Sequence, residues 1–143
     1  MKTFFIFLIS VMFFPGISAC GQGTTGEQNV KDIAITEERV EVYYFHFTRR
    51  CVSCVNVQKA TERVLNEHYK EEIENGAIVY QEVNLSEPES KEIAQRLGIG
   101  RQALLVVCGE KEVDLTMQGF MLASRDFDQF KATLDEAIKE VKS

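Results

Sequence analysis

The feature that most constrains this chain is a C-x-x-C motif, formed by Cys51 and Cys54, placed between an apolar run and a long amphipathic segment. Residues 40–47 are almost entirely apolar or aromatic on both alternating faces, as in a strand buried within a parallel sheet. The segment after the motif repeats apolar residues at helical spacing. The motif is therefore predicted to lie where a strand ends and a helix begins.

This placement predicts redox chemistry. A thiol at a helix N-terminus faces unpaired N–H groups and the positive end of the helix dipole, and both stabilise its thiolate. Arg49 and Arg50 add two neighbouring cations. One helical turn separates the two cysteines, so their sulfurs are close enough for a disulfide if their side-chain vectors converge. We predict Cys51 as the attacking thiol, supported by the two arginines, and Cys54 as the thiol that resolves a mixed disulfide.

Length and charge limit the other possibilities. The 143 residues give room for one folded domain, and an apolar share of 45% is ordinary for a folded soluble protein. A formal net charge of -6 argues against nucleic acid as a partner, because phosphates require a basic face. Four cysteines at uneven spacing are too few for a disulfide framework, so hydrophobic burial must supply the core.

The N-terminus combines a positive charge, a short apolar run and a cysteine. Lys2 precedes an apolar run over residues 4–14, which is too short to span a bilayer comfortably. Residues 17–20, Ile-Ser-Ala-Cys, resemble the lipobox of bacterial lipoproteins, where the signal is cut before a cysteine that becomes lipid-modified. We predict a signal peptide over residues 1–19 and lipidation of Cys20. The alternatives are an ordinary cleaved signal with a stray cysteine, and an uncleaved anchor.

The rest of the chain divides into a tether and a domain. Residues 20–38 are rich in Gly, Thr, Gln and charge, which predicts a flexible, lipidated tether. A coil of this length reaches on the order of 20 to 25 Å. Residues 39–143 form the predicted domain, held at a membrane of the bacterial cell envelope by its N-terminal lipid and facing the periplasm.

The domain alternates strand and helix patterns. Further strands are predicted over residues 77–85 and 103–108, followed by an outer hairpin strand through Val113, Leu115 and Met117. The helix after the motif carries one apolar stripe and stops at residues 75–76. The members of this stripe are Val57, Ala60, Thr61, Val64, Leu65 and His68.

Two more helices complete the predicted order βαβαββα. One begins at the Ser86 cap, in a Ser-Glu-Pro-Glu sequence that combines an N-cap, a first-turn proline and a capping box, and it ends at Gly98. The other begins at the Ser124 cap and runs to the end of the chain. Its stripe consists of Phe127, Phe130, Leu134, Ile138 and Val141.

This order, with C-x-x-C at the first strand-to-helix junction, resembles the thioredoxin fold over nearly the whole of residues 40–143. The resemblance implies an α/β domain with a central mixed four-stranded sheet and helices on both faces. In more detail, the chain is similar to a group of small thioredoxin-like bacterial lipoproteins labelled as a nitrophenyl compound nitroreductase subunit. We treat that label as a name and not as a mechanism.

Three positions depart from the thioredoxin pattern. Thioredoxins have a cis proline just before the third strand, whereas residues 100–103 of this chain are Gly-Arg-Gln-Ala. The buried acid that many thioredoxins place six residues before the first active-site cysteine is Phe45 here, and the aromatic residue usual before the motif is Arg50. These departures argue against the partners of thioredoxins more than against the redox chemistry.

The missing proline also leaves the cysteines open to a soft metal ion. A zinc site would need two more N or S ligands, and the candidates are His46, His68 and Cys108. Their predicted positions along the strands and the helix lie too far from the cysteines. We therefore predict no metal or other cofactor, a buried structural thiol at Cys108, and core or groove histidines.

The sequence thus predicts a membrane-tethered thiol-disulfide oxidoreductase whose partner is a protein thiol or disulfide in the cell envelope. Arg101, Gln102 and Ala103 would line the groove, where an extended partner could add main-chain hydrogen bonds. Two alternatives stay open: a non-catalytic accessory or binding module with a static disulfide, and a site that handles a soft metal or metalloid. The sequence gives neither the partner nor the direction of electron flow.

Overall fold

A computed structural model describes residues 39–143 of the chain. The strands are β1 Val40–His46, β2 Ile78–Asn84, β3 Ala103–Cys108 and β4 Lys111–Asp114. The helices are α1 Val52–His68, α2 Lys70–Glu74, α3 Lys91–Arg96, α4 Thr116–Leu122 and α5 Phe127–Lys142, with one 3-10 turn at Pro88–Ser90. The predicted signal peptide, the tether and Cys20 lie outside the described residues.

The four strands form one mixed sheet in the order β2-β1-β3-β4. Strand β1 pairs in parallel with β2 and antiparallel with β3, and β3 pairs antiparallel with β4. Tyr44 lies opposite Glu82 on one side of β1, and Phe45 lies opposite Ala103 on the other. The prediction of a mixed four-stranded α/β sheet is confirmed.

Each face of the sheet carries its own hydrophobic cluster, because successive side chains of a strand point to opposite faces. Val42 and Tyr44 of β1 join the cluster beneath α1, α4 and α5, whereas Tyr43 and Phe45 join the cluster beneath α3. Helices therefore cover both faces of the sheet, as predicted.

Helix α1 buries the predicted stripe except at its end. Val57 and Leu65 are each 1% exposed, whereas the side chain of His68 is 41% exposed. The helix ends at His68 because Tyr69 leaves helical geometry, and the Tyr69 hydroxyl donates a hydrogen bond of 3.0 Å to Asp135 of α5. The prediction of one helix as far as residues 75–76 is wrong, since the separate helix α2 fills the interval.

The outer strand of the hairpin is shorter than predicted. Strand β4 stops at Asp114, whose carboxylate accepts a hydrogen bond of 2.8 Å from the Thr116 amide and turns the chain into α4. Met117 therefore lies on a helix and is 70% exposed. Helix α4 packs closely on α1, since a Cβ on Gly119 would lie 3.2 Å from Cγ1 of Val57.

Two of the predicted helix caps are also wrong. Asp126 caps α5, because its carboxylate accepts a hydrogen bond of 3.0 Å from the Gln129 amide, and Ser124 lies in the preceding turn. Glu87 precedes the 3-10 turn before α3, and the Ser86 hydroxyl instead accepts a hydrogen bond from the Thr48 amide. In both places several polar residues that can cap a helix lie close together in the sequence, and the pattern does not distinguish among them.

The observed order keeps the predicted βαβαββα frame and adds the short helices α2 and α4. It is a thioredoxin-like topology, with β1 in the middle of the sheet and α1 leaving from its C-terminal end. Within residues 39–143, no helix combines the length and the apolar character needed to cross a membrane.

We expect Leu134→Ala in α5 to lower the free energy of unfolding by about 2–5 kcal/mol, because Leu134 is fully buried and its loss leaves a cavity. Urea unfolding followed by circular dichroism measures the change. Glu136→Ala, at an exposed position of the same helix, is the matched control and should shift stability by no more than about 0.5 kcal/mol. Equal unfolding midpoints for the two variants would show that α5 does not help to form the core.

Candidate functional site

The motif lies at the C-terminal end of the central strand. Strand β1 ends at His46, an exposed connection covers residues 47–51, and Cys51 is the N-cap of α1 with extended backbone angles. The Cys51 sulfur accepts a hydrogen bond of 3.3 Å from the Cys54 amide, as the side chain of an N-cap residue does. One of the unpaired N–H groups of the first turn is thus directed at a sulfur.

Cys51 and Cys54 form a disulfide, and their Cα atoms are 5.2 Å apart. The two residues differ in exposure, because Cys51 lies at the surface and Cys54 is only 2% exposed. A molecule that reacts with this disulfide from solution therefore meets Cys51 first.

Tyr44 fixes the first turn of α1 onto the sheet. Its hydroxyl donates a hydrogen bond of 2.7 Å to the carbonyl oxygen of Cys54, and the residue itself is completely buried. Burial raises the pKa of the Tyr44 phenol, so the group stays protonated and remains a donor. The position of Cys54 is therefore set by β1 as well as by its own helix.

Gln102 brings the segment before β3 to the buried sulfur. Its Nε2 atom lies 3.2 Å from Sγ of Cys54, and its Oε1 atom lies 3.5 Å from the same sulfur. This is the region where the thioredoxin resemblance places a proline, and here the chain supplies a carboxamide instead.

The arginines before the motif occupy different surroundings. Arg50 donates a hydrogen bond to the Gln58 carboxamide, and its guanidinium lies 3.6 Å from the Glu82 carboxylate. Arg49 is exposed. Support of the Cys51 thiolate by these two cations stays a prediction, and the contacts of Arg50 in the disulfide form are with α1 and β2.

The other predicted groove residues flank Gln102. Arg101 is exposed and its guanidinium lies 3.2 Å from the Asp114 carboxylate of β4. Ala103 is completely buried and pairs with Phe45 of β1. Their role in binding a partner stays a prediction, and Gln102 is the one of the three for which a contact with a cysteine of the motif is observed.

A polar cluster next to the motif was not predicted from the sequence. The Gln58 amide donates hydrogen bonds to Glu62 at 2.9 Å and to Glu82 at 2.8 Å, while His46 lies 3.7 Å from Glu82. Burial raises the pKa of Glu82, the nearby Glu62 raises it further, and Arg50 and His46 lower it by less. A sequence signal for this cluster is Glu82, a charged residue within the strand pattern of residues 77–85.

The remaining candidate ligands are scattered. His46 is buried, and its Nδ1 lies 3.1 Å from the carbonyl oxygen of Phe47, whereas His68 is exposed at the end of α1, which contradicts its predicted place in the core or groove. Cys108 is buried at the end of β3, as predicted. Among residues 39–143, no three His, Cys, Asp or Glu side chains are arranged to hold a metal ion.

The fold and the site together define a class: a thioredoxin-like α/β domain with a C-x-x-C disulfide after its first strand. No family model and no curated protein matches the chain. A solved structure of a malarial protein is similar to it, with 15% identity and a TM-score of 0.43 over 70% of this chain and 98% of that one. Similarity of this degree identifies neither a family nor an activity.

The raised pKa of Glu82 predicts a pH dependence of stability. Between the ordinary pKa of a carboxyl group and the raised pKa of folded Glu82, the unfolded chain has lost this proton and the folded chain still holds it. The contribution of Glu82 to the free energy of unfolding therefore falls as pH rises through this window. We expect Glu82→Gln to gain stability relative to the wild type as pH increases through this window. Urea unfolding at several pH values between about 4 and 8 measures the difference.

Glu110→Gln, at an exposed position in the turn between β3 and β4, is the matched control and should leave the shape of the pH profile unchanged. Parallel profiles for Glu82→Gln and the wild type would contradict the predicted ionisation cost at Glu82.

Proposed function

We propose that the domain is a thiol-disulfide oxidoreductase that works through Cys51 and Cys54. The observation that carries the proposal is the asymmetry of the pair: Cys51 is exposed at a helix N-cap, and Cys54 is 2% exposed behind it. An exposed sulfur that accepts a helix N–H is suited to form the mixed disulfide, because the same donor stabilises its thiolate.

In the reducing direction, the Cys51 thiolate attacks a disulfide of the partner. A bond forms between Cys51 and one partner sulfur, and the other partner sulfur leaves with the electron pair of the broken bond. The Cys54 thiolate then attacks Cys51, which forms the intramolecular disulfide and releases the first partner sulfur as a thiolate. Two electrons pass from the dithiol to the partner, and the same steps run backwards when the partner is a dithiol.

A protein is the partner class that suits the surroundings of Cys51. Val52, directly after it, is 78% exposed, and Phe47 in the preceding connection is 39% exposed. Apolar side chains beside a reactive sulfur favour a partner that covers them when it binds. We infer a protein thiol or disulfide of the cell envelope.

We expect Cys54→Ser to trap a mixed disulfide at Cys51 when the reduced protein is treated with glutathione disulfide, because no resolving thiol remains. Intact-mass measurement and peptide mapping identify the modified cysteine. Cys51→Ser is the matched control and should carry at least about tenfold less glutathione at Cys54, since Cys54 is 2% exposed.

A redox titration of the unaltered pair decides between this proposal and the alternatives. An oxidoreductase should show a midpoint between about -270 and -120 mV, the range from thioredoxin to a strong periplasmic oxidant. A bond that resists strong dithiol reductants in the folded protein, with no trapping at Cys51, would instead identify a static disulfide in an accessory module. Stoichiometric metal after anaerobic purification would favour a soft-metal site.

We also propose that the domain works at a membrane surface, tethered through a lipid on Cys20 and facing the periplasm. The support is the signal-like pattern of residues 1–19 followed by a lipobox cysteine. Such a tether would restrict the oxidoreductase to partners within reach of the membrane.

We expect Cys20→Ala to abolish uptake of a labelled lipid precursor by the full chain in a bacterial host, because the acceptor thiol is lost. Gel autoradiography of the immunoprecipitated protein measures the uptake. The double variant Cys51→Ser and Cys54→Ser is the control and should label normally. Uptake that persists in Cys20→Ala would contradict lipidation at this residue.

A further inference from the structure

The two sulfurs of the disulfide receive hydrogen bonds from different parts of the fold. The Cys51 sulfur accepts from the amide of Cys54 at the start of α1, at 3.3 Å. The Cys54 sulfur has Nε2 of Gln102 at 3.2 Å, from a residue 48 positions further along the chain. A disulfide sulfur carries no hydrogen, so it can only accept, and the carboxamide N–H is the donor in this contact.

Cys54 needs such a donor more than Cys51 does. It is 2% exposed, and burial in apolar surroundings disfavours a thiolate because water no longer solvates the charge. The Cys54 amide is directed at Cys51. The carboxamide of Gln102 is therefore well placed to stabilise negative charge on the buried sulfur.

Gln102 is held in this position by its neighbours. Ala103 is fully buried and pairs with Phe45 of the central strand, which fixes the chain on one side. On the other side, the Arg101 guanidinium lies 3.2 Å from the Asp114 carboxylate of β4 in an exposed ion pair. The buried start of β3 thus fixes the backbone from which the Gln102 side chain reaches Cys54.

We propose that Gln102 controls the reactivity of Cys54 by donating a hydrogen bond to its thiolate, and so sets how fast the mixed disulfide is resolved. This inference rests on the proposed function. In the resolving step the Cys54 thiolate attacks Cys51, a bond forms between the two sulfurs, and the partner sulfur leaves with the electron pair. In the opposite direction Cys54 is the leaving thiolate, and the same hydrogen bond stabilises it.

The test measures the Cys54 thiolate directly. In a Cys51→Ser background, the pH dependence of alkylation by iodoacetamide, with peptide mapping of Cys54, gives the midpoint of its ionisation. Gln102→Leu keeps the approximate size of the side chain and removes the donor, and we expect about a tenfold smaller thiolate fraction at neutral pH. Gln102→Glu keeps the size and a polar end of the side chain. It should also raise the pH midpoint of Cys54 ionisation, because a carboxylate repels a thiolate.

Gln95→Leu, at an exposed position on α3, is the matched control and should leave the midpoint unchanged. Circular dichroism and thermal unfolding of every variant separate loss of folding from loss of the donor. With both cysteines present, the mixed disulfide with glutathione should last about threefold longer in Gln102→Leu than in the wild type, because the smaller thiolate fraction is partly offset by the greater nucleophilicity of a thiolate with a higher pKa.

An unchanged midpoint in both folded Gln102 variants would overturn the inference. The midpoint is measured without any partner or redox cycle, so the role of Gln102 and the oxidoreductase function can be rejected independently. A shifted midpoint in a protein that forms no mixed disulfide would retain the role of Gln102 and reject the oxidoreductase. Normal trapping at Cys51 with an unshifted midpoint would retain the oxidoreductase and reject the role of Gln102.

Discussion

The arrangement of the whole domain depends on the burial of β1. All of its residues, Val40–His46, are buried, since β2 and β3 pair with its two edges and helices cover both of its faces. A strand enclosed in this way has one register, because a shift by one residue would turn its aromatic side chains to the wrong faces. The position of Cys51, a few residues beyond the strand, follows from that register.

The site combines this rigid support with unequal surroundings for its two sulfurs. Tyr44 ties the Cys54 carbonyl to the strand, and Gln102 reaches the Cys54 sulfur from the segment before β3. Cys51 remains at the surface with a helix amide directed at it. The attacking and the resolving thiol thus differ in structure as well as in chemistry, because different residues contact the two sulfurs.

The parts of the fold that could be predicted from the sequence are those that depend on repeated local patterns. The stripe of α1 and the apolar runs of β1 and β3 recur over many residues, so their elements were found. The predictions for Met117 and Ser124 are wrong because one polar side chain decides where a short element begins, and several neighbours offer the same chemistry. Periodicity cannot choose among them.

The missed parts of the site are long-range contacts. The thioredoxin resemblance predicts Gln102 as a groove residue, but its contact with the Cys54 sulfur across 48 positions has no local signature in the sequence, and neither has the contact of Gln58 with Glu82 across 24. The motif could be placed because the strand before it and the helix after it are adjacent in sequence. The Gln102 carboxamide comes from the segment before β3 and the Glu82 carboxylate comes from β2, and the folded sheet brings both near the motif.

The attachment of Cys54 to β1 affects how Cys54 and a small thiol in solution compete for a mixed disulfide at Cys51. The Tyr44 hydroxyl and the helical hydrogen bond from Val55 to the Cys51 carbonyl involve backbone atoms, so they do not depend on the bond between the sulfurs. The two Cα atoms can stay near their separation of 5.2 Å after reduction. The buried thiol then faces Cys51 at a high effective concentration, and a small thiol in solution competes poorly for the mixed disulfide.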